Sequence, residues 1–98
     1  MFGLSIKAFV LYTLKDLSLT LTELNPGKET YGHAHKEADE VYVFIDGEGR
    51  MEIGEDKIPV KAGSVVAVPG GKFHKVFNEG KGILSFWSIF EKYEGRGK

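Results

Sequence analysis

Apolar and polar residues alternate with a period of two along much of this chain, and glycine, proline or asparagine interrupts the alternation every few residues. Leu17-Ser18-Leu19-Thr20-Leu21-Thr22 alternates strictly, with leucines on one face of an extended strand and hydroxyls on the other, and Asn25-Pro26-Gly27 ends it as a turn. Glu40 opens the β-forming run Val41-Tyr42-Val43-Phe44-Ile45, which Asp46-Gly47 closes with a hairpin signal. Arg50-Met51-Glu52-Ile53 alternates again before a turn near Gly54-Glu55-Asp56. Val65-Val66-Ala67-Val68 is apolar on both faces, as a strand covered on both sides would be. Pro69-Gly70-Gly71 turns the chain into Phe73-His74-Lys75-Val76-Phe77-Asn78, and Glu79-Gly80-Lys81-Gly82 separates that segment from the apolar run Ile83 to Phe90. No stretch carries a helical period. Many short strands with regular turns predict an all-β sandwich or barrel.

Length and charge narrow the function classes. A chain of 98 residues makes one domain, able to bury about 60–65% of the surface its unfolded form exposes. The formal net charge is −1 with both signs interspersed, which argues against a nucleic-acid or membrane partner. The N-terminal apolar stretches are cut by Lys7 and by Lys15-Asp16, so neither a signal peptide nor a spanning segment is expected, and the predicted location is cytoplasmic. The chain has no cysteine, which excludes disulfides and thiolate ligands.

Candidate chemistry lies in two spaced motifs. Gly27, His33, His35, Glu40 and Gly47 read G-x5-H-x-H-x4-E-x6-G; Gly63, Pro69, Gly71, His74 and Asn78 read G-x5-P-x-G-x2-H-x3-N, and together they use every histidine of the chain. In an extended segment His33 and His35 point the same way, with Cα atoms about 7 Å apart, so both can reach one ion. Imidazole and carboxylate suit Zn, Fe, Ni, Co, Cu or Mn rather than Mg or Ca. Such a set leaves open positions on the ion, as ligand binding or catalysis requires. Strand parity from the histidines nominates Glu37 or Asp39 as the acid, whereas Glu40 is out of phase. The segment Lys36-Glu37-Ala38-Asp39 is polar and poor in β-formers, and reads as a loop that resets the phase so that Glu40 can face inward.

Both stretches resemble the two sequence motifs of the cupin superfamily, position by position, from Gly27 to Asn78. Fifteen residues separate Gly47 from Gly63, which is similar to the compact single-domain cupins of microbes. The resemblance implies a small jelly-roll β-barrel over residues 1–98, with N-terminal strands in 1–24, the motifs at 27–47 and 63–78, and a tail at 91–98 that frays. It also implies one divalent transition metal per chain (Mn, Fe, Ni, Co, Zn or Cu) held by His33, His35, Glu40 and His74, and so favours Glu40 over Glu37. Parity from these residues proposes Tyr42, Phe44, Met51, Ile53 and Val76 as pocket lining, completed by Trp87 or its neighbours Phe86 and Ser88. The plainer reading of each is barrel core.

The functional expectation is a small metal-dependent enzyme in which the ion, as Lewis acid, binds oxygen atoms of a small ligand, with Glu40 able to shuttle a proton. Gly32-His33-Ala34-His35 and Glu40-Val41-Tyr42-Val43 are similar to segments of archaeal cupin-type sugar-phosphate isomerases, but those chains and their histidine–glutamate gap are longer, so their substrate is not carried over. Isomerase or lyase chemistry, dioxygenase chemistry, and a non-catalytic small-ligand or metal-binding module are the alternatives. The apolar residues of the N-terminal segment, Phe2, Phe9 and Val10 among them, predict a homodimer, with N-terminal strands paired across the two-fold.

Overall fold

Alternating segments become strands wherever a turn residue lets the chain reverse. The computed structural model describes residues 6–13 by their backbone and residues 17–30, 32 and 38–91 in full. The described residues form β1 (Ile6–Thr13), β2 (Leu17–Leu24), β3 (Glu40–Asp46), β4 (Glu48–Ile53), β5 (Asp56–Lys61), β6 (Val65–Val68), β7 (His74–Phe77) and β8 (Leu84–Glu91). They pair into a five-stranded antiparallel sheet of order β1-β2-β8-β3-β6 and a three-stranded one of order β5-β4-β7. Residues 27–30 extend the smaller sheet, through Thr30 N–H to the Val76 carbonyl and Asn78 N–H to the Lys28 carbonyl, both 2.9 Å. Strands β1 and β2, and β4 and β5, are consecutive antiparallel neighbours, the steps β3 to β4, β5 to β6, β6 to β7 and β7 to β8 cross between the sheets, and the architecture is a jelly roll. No helix among the described residues is long and apolar enough to cross a membrane.

Strand β5 has no counterpart in the sequence reading, because Lys57-Ile58-Pro59-Val60-Lys61 holds a proline. Pro59 is tolerated since β5 is an edge strand, where a missing N–H costs no ladder bond on the open side. Asp46-Gly47 is a corner rather than the hairpin its residues suggest, because β3 and β4 belong to different sheets and do not pair, and Gly47 there has φ 88°. A Cβ there would lie 2.4 Å from the Ile83 carbonyl oxygen, so this motif glycine lets the corner between the sheets pack against the residue that precedes β8.

The core fills the space between the sheets: Leu24, Tyr42, Phe44, Met51, Ile53, Val60, Val66, Val68, Val76, Leu84 and Phe86 form one cluster. The rings of Phe44 and Phe86 approach to 5.1 Å between centroids, and those of Tyr42 and Phe86 to 5.5 Å. Burying rings of this size dominates core energetics, at about 1.5–3 kcal/mol for each. Asn78 is buried at the end of β7, where its amide donates to the carbonyls of Leu24 and Gly82, both at 2.8 Å, and its Oδ1 accepts from Gly80 N–H at 2.9 Å. It therefore ties β2 to the β7–β8 turn and has a structural role.

Candidate metal centre

Strand β3 begins at Glu40, and its alternation puts Glu40, Tyr42 and Phe44 inward and leaves Val41 and Val43 half-buried. Register then sets the neighbours. Glu40 pairs with Val68 on one side and Phe90 on the other, and Tyr42 pairs with Ser88. Across the barrel, β7 begins at His74 with His74 and Val76 inward. Glu40 and His74 meet in the interior at 3% and 2% exposure, with His74 Nε2 3.1 Å from Glu40 Oε1.

Each partner is held by a further group. The Ser88 hydroxyl donates to Glu40 Oε2 at 2.7 Å. His74 Nδ1 lies 2.9 Å from the Lys72 carbonyl. A carbonyl only accepts, so Nδ1 carries the hydrogen and Nε2 is the nitrogen aimed at the carboxylate. Tyr42 presents its ring edge-on to the imidazole, with centroids 5.7 Å apart.

That arrangement has one positive charge to supply. An ionised carboxylate and a neutral Nε2 both present lone pairs, so they can stand 3.1 Å apart only with a proton or a cation between them. Burial presses the His74 pKa down, but the hydrogen bond to Glu40, the Lys72 carbonyl and the negative charge of Glu40 together lift it above the ordinary imidazole value. Burial, followed by the charge and hydrogen bond of Glu40, raises the Tyr42 hydroxyl well above the usual phenol range, against an opposing pull from Ser88. Tyr42 is therefore a neutral hydroxyl and no base.

The same pair fits a metal. Nitrogen and oxygen ligands sit about 2.0–2.2 Å from a divalent transition ion, so two of them on adjacent vertices at a right angle are about 3.0 Å apart. Nε2 and Oε1 already have that separation, and the bonds to Lys72 and Ser88 are the outer contacts that orient an imidazole and a carboxylate ligand. His33, His35 and Glu37 lie outside the described residues, and among the described residues no group of three or more candidate ligands occurs. The described residues flanking that segment are anchored beside the pair. On one side Gly32 packs so closely under Phe73 and Lys75 that a Cβ would stand 2.0 Å from the Phe73 ring. On the other, Asp39 accepts the Gly70 N–H at 2.8 Å and Ala38 is buried.

Of the proposed lining, Phe44, Met51, Ile53 and Val76 are buried members of the core, and Tyr42 is in the core while also touching His74. Trp87 stands on the other side of β8: it is half-buried opposite Val43, and the inward positions are its neighbours Phe86, opposite Phe44, and Ser88, opposite Tyr42. The β2 face that looks inward is the hydroxyl face, with Ser18 and Thr22 buried and Thr20 directly across from Ser88. The sequence shows that alternation plainly, but hydrophobicity alone would have turned the leucines inward. A cleft of about 390 Å³ lined by Glu48, Gly49, Pro59, Val60, Lys61, Ser64 and Glu79 shares no residue with the Glu40–His74 pair and holds no imidazole.

The chain is similar to known proteins. Over 54 residues the chain is 33% identical to an uncharacterized protein of Methanocaldococcus jannaschii, covering 55% of this chain and 43% of that protein. It is 28% identical to auxin-binding protein 1 of Arabidopsis thaliana over 98 residues, which are 91% of this chain and 49% of the relative. The chain thus spans about half the length of these relatives or less. The crystal structure of a predicted oxalate decarboxylase from Thermotoga maritima superposes with TM-score 0.83 at 25% identity, covering 88% of this chain and 79% of that one. The family model for the cupin domain matches residues 20–90, more than half of the sequence, and with the jelly-roll fold this places the chain in the cupin domain family.

Proposed function

We propose that Glu40 and His74, with His33 and His35, hold one divalent transition metal, and that the protein is a small metal-dependent enzyme acting on an oxygen-rich metabolite by isomerase- or lyase-type chemistry. The observation that carries this reading is the buried Glu40–His74 contact, in which each partner is oriented by a separate bond and one positive charge is needed between them. A bound divalent ion supplies Lewis acidity toward a ligand's oxygen atoms at its open positions.

The chain's own groups supply the rest. Ser88 fixes Oε2 of Glu40 and leaves Oε1 as the working oxygen. The Lys72 carbonyl keeps the hydrogen of His74 on Nδ1. The Glu40 carboxylate is the buried group able to accept and return a proton, since Tyr42 stays neutral. Thr20, facing inward beside Ser88, offers a hydroxyl suited to a polar ligand. Similarity to a predicted oxalate decarboxylase supports the lyase branch and a small carboxylate as substrate class.

A second reading, a non-catalytic small-ligand module, draws support from the similarity to auxin-binding protein 1, a binding protein by name. One experiment separates the two. Protein purified without chelators is assayed for metal and then incubated with small hydroxy-acids, keto-acids and sugars, following both binding and product. About one ion per chain and turnover support the enzyme; saturable binding without product supports the module; absence of metal in the intact protein and in protein reconstituted with each candidate ion removes the metal-dependent enzyme.

A further inference from the structure

The inward hydroxyls of β2 stand in register with the Glu40–His74 pair. Ser18 lies across from Phe90, which lies across from Glu40. The next row is Thr20–Ser88–Tyr42, and the one after it Thr22–Phe86–Phe44. Ser88, in the middle row, is the residue that donates to Glu40. The ladder Ser18, Thr20, Thr22 therefore starts level with the carboxylate and runs away from it along one wall, with rungs about 6.8 Å apart.

Ser18 and Thr22 are 9% and 6% exposed. Among the described residues the hydroxyls of Thr30, Ser64 and Ser88 each take part in a hydrogen bond, whereas those of Ser18, Thr20 and Thr22 make none. A hydroxyl buried without a partner is destabilising, and valine, with nearly the shape of threonine, would stand beside Phe86 without that cost. No enclosed side-chain nitrogen or oxygen of the described residues lacks a partner, so the three hydroxyls open onto space that a ligand oxygen can enter. The opposite sheet presents Met51, Ile53 and Val76, an apolar wall. A row of hydroxyls facing an apolar wall matches a polyol, whose oxygens reach the first and whose C–H groups lie against the second. A neutral hydroxyl exchanges hydrogen bonds with another hydroxyl in either direction, but it brings no charge to meet a second acid group.

We propose that Thr20 and Thr22, with Ser18, select a polyhydroxylated substrate, a sugar or sugar acid, whose head lies at the metal and whose hydroxyl tail runs along β2. The proposal rests on the metal centre built on Glu40 and His74. Metal-loaded protein is titrated calorimetrically with glycolate, glycerate, threonate and gluconate, which share an α-hydroxycarboxylate head and differ in their hydroxyl tails. α-Hydroxyhexanoate, whose tail has no hydroxyl, is the control. The best-bound of the longer acids is expected to exceed both glycolate and α-hydroxyhexanoate in affinity by about tenfold or more. Thr20→Val and Thr22→Val should each cut the ratio of that affinity to the glycolate affinity by about 3–10-fold, with metal content and melting temperature held. Three results would overturn the proposal: no longer acid binding more tightly than glycolate, a preference for α-hydroxyhexanoate, or a ratio indifferent to both valine variants, as a ladder that only holds ordered water would give. Failure of the metal centre reads differently: neither bound ion nor glycolate binding would refute that centre, and this proposal with it.

Discussion

The hydroxyl of Ser88 donates to Oε2 of Glu40 at 2.7 Å, and the other oxygen of that carboxylate meets His74. The contact joins β8 to the first residue of β3 and removes the carboxylate's freedom to rotate within the barrel. Ser88→Ala removes one hydrogen-bond donor from a buried carboxylate, at about 1–3 kcal/mol. Metal affinity is expected to fall about 10–100-fold, and Ser88→Thr to recover most of it. Titration calorimetry with a single divalent ion measures both, and equal affinity of Ser88→Ala and wild type would remove Ser88 from the site.

The choice of acid can be tested directly. Glu40 faces inward because β3 starts there with its own phase, whatever the parity of His33 and His35. Glu40→Gln is expected to lose most bound metal by elemental analysis, and Glu37→Gln to keep it. Equal losses would show that the phase does not reset in Lys36 to Asp39.

Much of this was legible in the sequence, and the departures have physical causes. Turn residues with period-two or apolar runs marked β2, β3, β4, β6, β7 and β8, since each of these runs except the last ends at glycine, proline or asparagine. Strand β5 was hidden by Pro59, because a proline argues against a strand unless one knows that the strand lies on an edge. The phase reset before Glu40 could be read from the lack of β-formers in Lys36 to Asp39, but strand parity also nominated Glu37 and Asp39, and the family resemblance favoured Glu40. The inward hydroxyl face of β2 did not follow, since alternation gives two faces without saying which is covered, and here the leucines point out. Trp87 was ambiguous with Phe86 and Ser88 until the pairing of β8 with β3 set its parity.

Protonation gives a pH signature for metal-free protein. The folded His74 pKa lies above its ordinary value, so the Glu40–His74 pair stabilises the fold fully below about pH 6.5 and this contribution is lost as pH rises through the folded pKa. Thermal melting of chelator-treated protein should show stability falling as pH rises above about 6.5 and through the raised folded pKa, and His74→Gln should flatten that slope. Added metal must displace the shared proton, so its affinity is expected to rise over the same interval and its binding to release a proton. A pH-independent melting temperature for both proteins would contradict the assigned charge state.

Gly32 offers a test of how the H-x-H segment is seated. Its missing Cβ leaves room for the Phe73 ring and the Lys75 stem, which would stand 2.0 Å and 2.8 Å from such an atom. Phe73 is half exposed and can yield, so Gly32→Ala should cost little in melting temperature while displacing the segment that leads to His33. A clear loss of metal affinity is expected, with partial recovery in Gly32→Ala combined with Phe73→Ala, because the two positions share one contact and their effects are not additive. Additive losses in the double variant would show that the contact with Phe73 does not set the segment.

Ion exchange distinguishes the two kinds of chemistry open to the site. Lewis acidity depends on charge and open positions, so activity should survive exchange among Mn, Co, Ni and Zn within about one or two orders of magnitude and should need no oxygen. Dioxygen chemistry needs an ion that changes oxidation state, which zinc does not. The expected outcome is turnover of a small hydroxy-acid, keto-acid or sugar by the zinc form under argon, lost in Glu40→Gln. Oxygen uptake coupled to substrate loss in the Fe or Mn form and absent in the Zn form would make the protein a dioxygenase instead. Inactivity of every metal form, together with saturable binding of one compound, would assign it to the binding class, because the buried pair would then hold an ion that only anchors a ligand.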